Sequence, residues 1–126
     1  MKETFRFVPL AAHKDQRGTL VAFEESAPLP FEPKRAFYIQ GVAEGQARAE
    51  HAVSCDEFLV LLTGRCRITL RSKVTQDEFG LDDPQRGLFV PAGIWMKLDR
   101  FENNTFLLVF ASRRYEETQY FLQPQT

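Results

Sequence analysis

Histidine, cysteine and tryptophan are all scarce in this chain of 126 residues, at two, two and one copies. Cys55 and Cys66 form neither a CxxC pair nor a metal-ligand spacing, so no disulfide framework is read and a reducing, cytoplasmic compartment is expected. No apolar leader with a cleavage site is present. Long hydrophobic runs are missing too. The longest, Leu59 to Leu62 with Phe58 before it, falls far short of the ~20 residues that span a bilayer, and a soluble protein with no membrane partner is expected. Nor is one charge in excess. A formal charge of −1 and a pI near 6.1 give a polyanion no broad surface to hold, which argues against nucleic acid. An anionic ligand must then meet a local cluster of Arg and Lys.

What the chain does have is a 44% hydrophobic composition with twelve Phe, enough for one core and one domain over residues 1–126. Its apolar residues recur in blocks of four to eight between Gly, Pro, Asp and Asn, the pattern of strands. Strands are predicted near Phe5 to Val8, Thr19 to Phe23, Arg35 to Ile39, Ala47 to Ala52, Glu57 to Leu62, Cys66 to Arg71, Asp77 to Leu81, Gly87 to Val90, Trp95 to Leu98 and Thr105 to Ser112. So many short strands imply an all-β sandwich or barrel. The turns Gln16-Arg17-Gly18, Thr63-Gly64, Asp82-Asp83-Pro84, Pro91-Ala92-Gly93 and Glu102-Asn103-Asn104 separate them. The strand Phe58 to Leu62 is apolar on both faces, which predicts cover from a second sheet or another subunit. Edge strands in so small a sheet need covering as well; a homodimer, with N-terminal strands exchanged between subunits, is one way. The Gln-rich end, residues 123–126, is expected to fray.

Two motifs carry the chemistry. One runs Arg48-Ala49-Glu50-His51-Ala52-Val53-Ser54-Cys55-Asp56-Glu57 and on through the apolar strand to Thr63-Gly64; the other is Gly87-Leu88-Phe89-Val90-Pro91-Ala92-Gly93-Ile94-Trp95-Met96. These are the skeletons of the two cupin motifs, a His-x-His followed by a Glu and a later Pro-x-Gly-x-x-His. The expected fold is therefore a cupin, an RmlC-like jelly-roll barrel or double-stranded β-helix. Alternation along a strand turns His51 and residue 53 to the interior. Val53 and Met96 replace two of the three histidines that cupins use with a carboxylate to hold a metal, leaving His51 and Glu57. One imidazole and one carboxylate hold a transition metal weakly, so no metal and no cofactor are expected. A metal-dependent oxygenase or epimerase is disfavoured by the same ligand count.

A narrower resemblance covers nearly the whole chain. Arg17-Gly18-Thr19-Leu20-Val21-Ala22-Phe23-Glu24-Glu25, Pro30-Phe31-Glu32-Pro33-Lys34-Arg35-Ala36-Phe37-Tyr38-Ile39, Arg48 to His51, Phe58 to Ile68, Gly87 to Pro91, Trp95, Leu108 to Ser112, Tyr115 to Thr118 and Tyr120 together resemble the WxcM-like cupins, the dTDP-sugar 3,4-ketoisomerases. The resemblance implies a metal-free, cytoplasmic, dimeric isomerase. Its substrate would be a dTDP-linked 4-keto-6-deoxyhexose, whose keto group moves between C4 and C3 in deoxyamino-sugar biosynthesis for lipopolysaccharide or another glycan. By position, Arg17 and Arg48 look like diphosphate or sugar contacts, Tyr38 like a proton donor and His51 like the first of two histidines. The second of that pair is Val53 here, and a residue often His or Arg in the family is Met96.

Moving a ketone from C4 to C3 takes a proton from C3, passes through an enediol and returns a proton to C4. A base that titrates near neutrality suits this, and His51 is the candidate, with Tyr38 as acid. Arg17 and Arg48 bind the substrate, and Glu57 contacts the ligand or orients His51. Trp95, taken as a substrate contact, is also readable as core. His13, in a polar loop, is given no role. The alternative is a nucleotide-sugar-binding cupin that, lacking the second histidine, is non-catalytic or differently catalytic.

Overall fold

The computed structural model describes residues 4–126, and short apolar blocks punctuated by turn residues fold there into fourteen β-strands with no α-helix. In chain order these are β1 (Arg6–Pro9), β2 (Ala12–Asp15), β3 (Gly18–Val21), β4 (Glu24–Glu25), β5 (Pro28–Leu29), β6 (Arg35–Gln40) and β7 (Arg48–Val53). They continue as β8 (Glu57–Thr63), β9 (Cys66–Arg71), β10 (Gln76–Leu81), β11 (Arg86–Val90), β12 (Trp95–Asp99), β13 (Phe106–Ala111) and β14 (Tyr120–Phe121). One five-stranded sheet has the order β1-β11-β8-β13-β6 and the other β10-β9-β12-β7-β14; all their pairings are antiparallel. This is the expected jelly roll.

Each predicted strand overlaps an observed one. Four more, β2, β4, β5 and β14, are too short or too polar to show a period of two: β2 reads Ala-His-Lys-Asp and β14 is two residues long. β2 and β3 form a separate hairpin whose tip is Gln16–Arg17, with Gly18 at φ +124°, where a side chain would be strained.

The core lies between the sheets. Leu59, Leu61, Leu88, Val90, Leu107 and Val109 from the first sheet pack against Ile68, Leu70, Met96 and Leu98 from the second. β8 is central, and its other face is also covered. Phe58 and Val60 lie under Leu10, Val21, Phe23, Leu29 and Phe31 from the N-terminal third of the chain. The two-faced apolarity of β8 thus has a simple cause: sheet on one side and N-terminal loops on the other. Gly87, opposite Val60 on β11, sits against the Phe58 ring, and a Cβ there would overlap it.

β1 completes the first sheet by pairing with β11 of its own chain. The chain end, expected to fray, is instead tied down by backbone hydrogen bonds. Gln125 N–H donates to Gly93 O at 2.8 Å, and Lys73 N–H donates to Thr126 O at 2.6 Å. The fraying expectation weighed side-chain polarity alone, whereas these bonds use only the backbone.

Candidate active site

Between the sheets, beyond the last layer of core side chains, lies a cavity of about 520 Å³, a size that suits a small polar ligand. Its second-sheet wall comes from β7 and β12. Met96 and Leu98 point inward from β12, and cross-strand pairing sets His51 opposite Met96 and Arg48 opposite Leu98. On a regular strand, residues three apart face opposite ways. Here the register shifts between Met96 and Lys97, leaving Glu50 as an extra residue, and Ala49 and Glu50 take φ of +68° and +65°. This bulge turns Arg48 to the same side as His51. Backbone strain of this kind, about 1–3 kcal/mol per residue, is spent where it re-aims a side chain.

The first-sheet wall is built row by row. Arg35, Ala111, Glu57 and Val90 are register partners across β6, β13, β8 and β11, and therefore share a face. The next row is Phe37, Val109, Leu59 and Leu88. Arg35, Phe37, Glu57, Leu59 and Val109 line the cavity. Tyr115 and Tyr120 close its side: β14 pairs with β7, so the Tyr120 ring meets His51 edge-on at 4.9 Å and 84°. The Arg35 guanidinium lies over the Phe37 and Tyr115 rings, at 5.1 and 5.6 Å.

Electrostatics follow from burial. His51 is held below its usual range by desolvation and, secondarily, by the Arg48 charge, so its imidazole is neutral and basic at neutral pH. Glu57 is only 4% exposed, and desolvation pushes its carboxyl up to about 7 despite the opposing field of Arg35. Among the described residues no three His, Cys, Asp or Glu side chains gather as metal ligands.

Of the residues singled out from sequence, His51, Arg48 and Glu57 come together here, and three others do not. Tyr38 points away. Arg35, Phe37 and Ile39 take the inner positions of β6, so Tyr38 lies outside, 59% exposed and stacked on Phe106 at 4.8 Å. Strand alternation thus keeps it off the wall of this cavity, where a proton donor was expected. Arg17 stands at the hairpin tip, with a side chain 90% exposed and bonded to Asp15 at 2.6 Å, and does not line the cavity of its own chain. Trp95, next to inward-facing Met96, turns to the outer face of the second sheet, where Arg71 packs 4.1 Å over its ring. Lys97 also faces outward, toward Asp99 at 3.7 Å.

Arg35, Tyr115 and Tyr120 were not assigned a role from sequence. Counting by twos from Phe37 finds Arg35, but the tyrosines carry no periodic signal. Val53 is buried as alternation requires, yet it packs with Cys55 and Ala111 and is not on the cavity wall. A Val53→His variant therefore crowds a filled cluster and buries a polar ring. We expect a stability loss of about 1–3 kcal/mol and no gain in turnover, read by thermal unfolding and assay. A steep rise in activity would show that the imidazole reaches the substrate.

A barrel of this kind, with a largely apolar cavity between the sheets of a jelly roll into which a few charged side chains project, is an RmlC-like cupin. The rmlC epimerase of Mycobacterium tuberculosis shares the fold at a TM-score of 0.71 and 14% identity, over 88% of this chain and 64% of that one. Within this class the chain belongs to the FdtA family, WxcM-like, C-terminal, which it matches over residues 3–126. A TDP-4-oxo-6-deoxy-alpha-D-glucose-3,4-oxoisomerase from Aneurinibacillus thermoaerophilus is 37% identical over 110 residues, 86% of this chain and 79% of the relative. The 3,4-ketoisomerase QdtA of Thermoanaerobacterium thermosaccharolyticum, solved as a histidine-to-asparagine mutant with TDP-4-keto-6-deoxyglucose, superposes at a TM-score of 0.89 with 27% identity. That match covers 98% of this chain and 90% of that one.

Proposed function

We propose that this protein is an isomerase that moves the keto group between C4 and C3 of a dTDP-linked 4-keto-6-deoxyhexose. Proton abstraction and return pass through an enediol, as a step in deoxyamino-sugar and glycan biosynthesis. The observation that carries the reading is His51: a neutral imidazole inside a ligand-sized cavity, in a chain whose relative is a 3,4-oxoisomerase. His51 takes the proton from one ring carbon and returns it to the other. Arg48 and Arg35 meet the diphosphate or the sugar oxygens, and their charge favours the enediolate that forms as the C–H bond breaks. No metal is needed for these steps. Tyr120, edge-on to His51, holds the imidazole plane.

The same reading includes a cytoplasmic homodimer. Both cysteines are free thiols, which suits a reducing compartment. Tyr38, Phe106 and Leu62 leave an apolar strip on the outer face of the first sheet, which a second copy would cover. The strip gives Tyr38 a place in an interface instead of in catalysis. In such a dimer the β1 of one copy could pair with β11 of its own chain, as it does here, or exchange with that of the other copy. A binding-only reading draws on Val53, which stands where the family's second histidine is usual.

The deciding experiment is thermal unfolding with millimolar thymidine diphosphate, followed by NMR of the 4-keto sugar nucleotide with enzyme, and sedimentation equilibrium on the same sample. Ligand at ~100 times its Kd adds roughly 2.7 kcal/mol, a rise of several degrees. Appearance of the 3-keto isomer establishes catalysis, and a thermal shift without turnover favours the binding-only reading. No shift with thymidine, uridine or guanosine diphosphate overturns the sugar-nucleotide site. Sedimentation near twice 14.5 kDa is expected.

A further inference from the structure

Ketone migration moves two kinds of proton, one between carbons and one between oxygens. His51 accounts for the first. The second must leave O3 and arrive on O4, and a group able both to donate and to accept beside those oxygens would carry it. Glu57 fits this need by its position. Its carboxyl enters the cavity from the first sheet while His51 lines the cavity from the second. Its register partner on β13 is Ala111, whose own partner on β6 is Arg35, so the carboxyl and the guanidinium stand on one face of the sheet with only a small side chain between them.

Among the described residues nothing hydrogen-bonds or ion-pairs with the Glu57 carboxyl, and the Arg35 Nε is buried without a partner as well. Buried polar groups in a folded protein are almost always satisfied, and a carboxyl is among the costliest to leave alone. A Glu57 carboxyl on the cavity wall with no protein partner, and the Arg35 charge acting on it from the same row, point to a ligand that completes the bonding.

We infer that Glu57 is a second catalytic residue, the carrier of the proton between the two sugar oxygens. The assignment rests on the ketoisomerase reading above. In the first half-reaction His51 takes the proton from C3, and the C–H electron pair becomes the C3=C4 double bond. The carbonyl pair at C4 forms an O4–H bond with the proton of the Glu57 carboxyl. In the second half, the Glu57 carboxylate takes the proton from O3, whose bonding pair forms the C3 carbonyl. The C3=C4 pair then takes the proton from His51 to make C4–H. Both side chains end as they began, and no oxidant or reductant enters. Burial, which holds the Glu57 carboxyl near 7, keeps both of its forms accessible at neutral pH. Arg35, standing in the same row, sets a positive charge beside the carboxyl and the oxygens.

The test is Glu57→Gln, which keeps volume and polarity but cannot pass a proton, alongside Glu57→Asp, which keeps the acid. For Glu57→Gln the expected result is a fall in kcat of about 10²-fold or more, with KM and the thermal shift by thymidine diphosphate within about twofold of wild type. The wild-type kcat profile should carry a limb near pH 7 that the Gln variant loses, and Glu57→Asp should recover part of the rate. Wild-type kcat in Glu57→Gln, or equal losses in the Gln and Asp variants, overturns the assignment alone. Absence of turnover in the wild type itself overturns the ketoisomerase reading and this assignment with it.

Discussion

Replacing His51 with asparagine should lower kcat by about 10²- to 10⁴-fold while thymidine diphosphate still raises the melting temperature as it does in the wild type. The expectation follows from the division of labour in the cavity. Arg35 and Arg48, which hold charge, come from β6 and the bulge of β7, and neither leans on the His51 ring through a hydrogen bond. Asparagine keeps a polar side chain beside Tyr120 but has no basic nitrogen to take a proton from carbon. The loss should therefore appear in kcat, with KM nearly unchanged, since the missing interaction operates only as the C–H bond breaks. The wild-type acid limb carries a second signature. Desolvation and Arg48 hold His51 below the usual histidine range, so activity should persist below pH 6.5 and fall only at more acidic values. NMR of keto-sugar conversion across pH, with a parallel thermal-shift titration, reads both. A His51→Asn enzyme with wild-type kcat would remove His51 from the chemistry and move the search for a base to Tyr115 and Tyr120.

How far the site could be read from sequence turns on strand phase. His51 and Glu57 were legible because the cupin motif spacing marks both, and each opens a regularly alternating stretch, His51 to Val53 and Glu57 to Leu61. Arg48 was found by resemblance, and strand phase by itself would have turned it outward. Only the bulge at Ala49 and Glu50 brings it in, and nothing in Arg-Ala-Glu-His announces left-handed backbone at two residues that are not glycine. Tyr38 shows the opposite failure. Its phase was readable, since Phe37 and Ile39 must share the core face, yet the resemblance placed the odd-phase tyrosine in the site and overlooked Arg35. Trp95 and Met96 raise the same question of phase: once Met96 faces inward, Trp95 must face out.

The fold was more legible than the site, because apolar blocks and turns repeat along the chain whereas a cavity is made once. What escaped was pairing without pattern. β14 has two residues, and the order of strands in each sheet is set by contacts far apart in sequence. Tyr120 reaches His51 only through that pairing.

Stability should run the other way from activity at Glu57. In the unfolded chain this carboxyl ionises near 4.5, whereas in the folded protein burial delays ionisation to about 7. Between those values the folded state holds a proton that the unfolded state has lost. The stability this group contributes is thus fully present below pH 4.5, declines by about 1.4 kcal/mol per pH unit and levels off above 7. Across the whole window the decline is on the order of 3 kcal/mol, or roughly 10 °C in Tm for a domain of this size. Glutamine has nothing to ionise, so Glu57→Gln should lose this pH dependence and melt higher than wild type at pH 8, while the two proteins lie much closer at pH 5. Calorimetric or fluorescence melts at the two pH values, compared as a difference of differences, cancel the constant cost of burying an amide in place of an acid. Parallel Tm profiles for both proteins would mean that Glu57 is already ionised in the fold at pH 5. A wild-type Tm that falls relative to the variant's between pH 5 and 8 would mark Glu57 as a residue that costs the fold stability at the pH where its carboxylate forms, as expected of a group kept for chemistry.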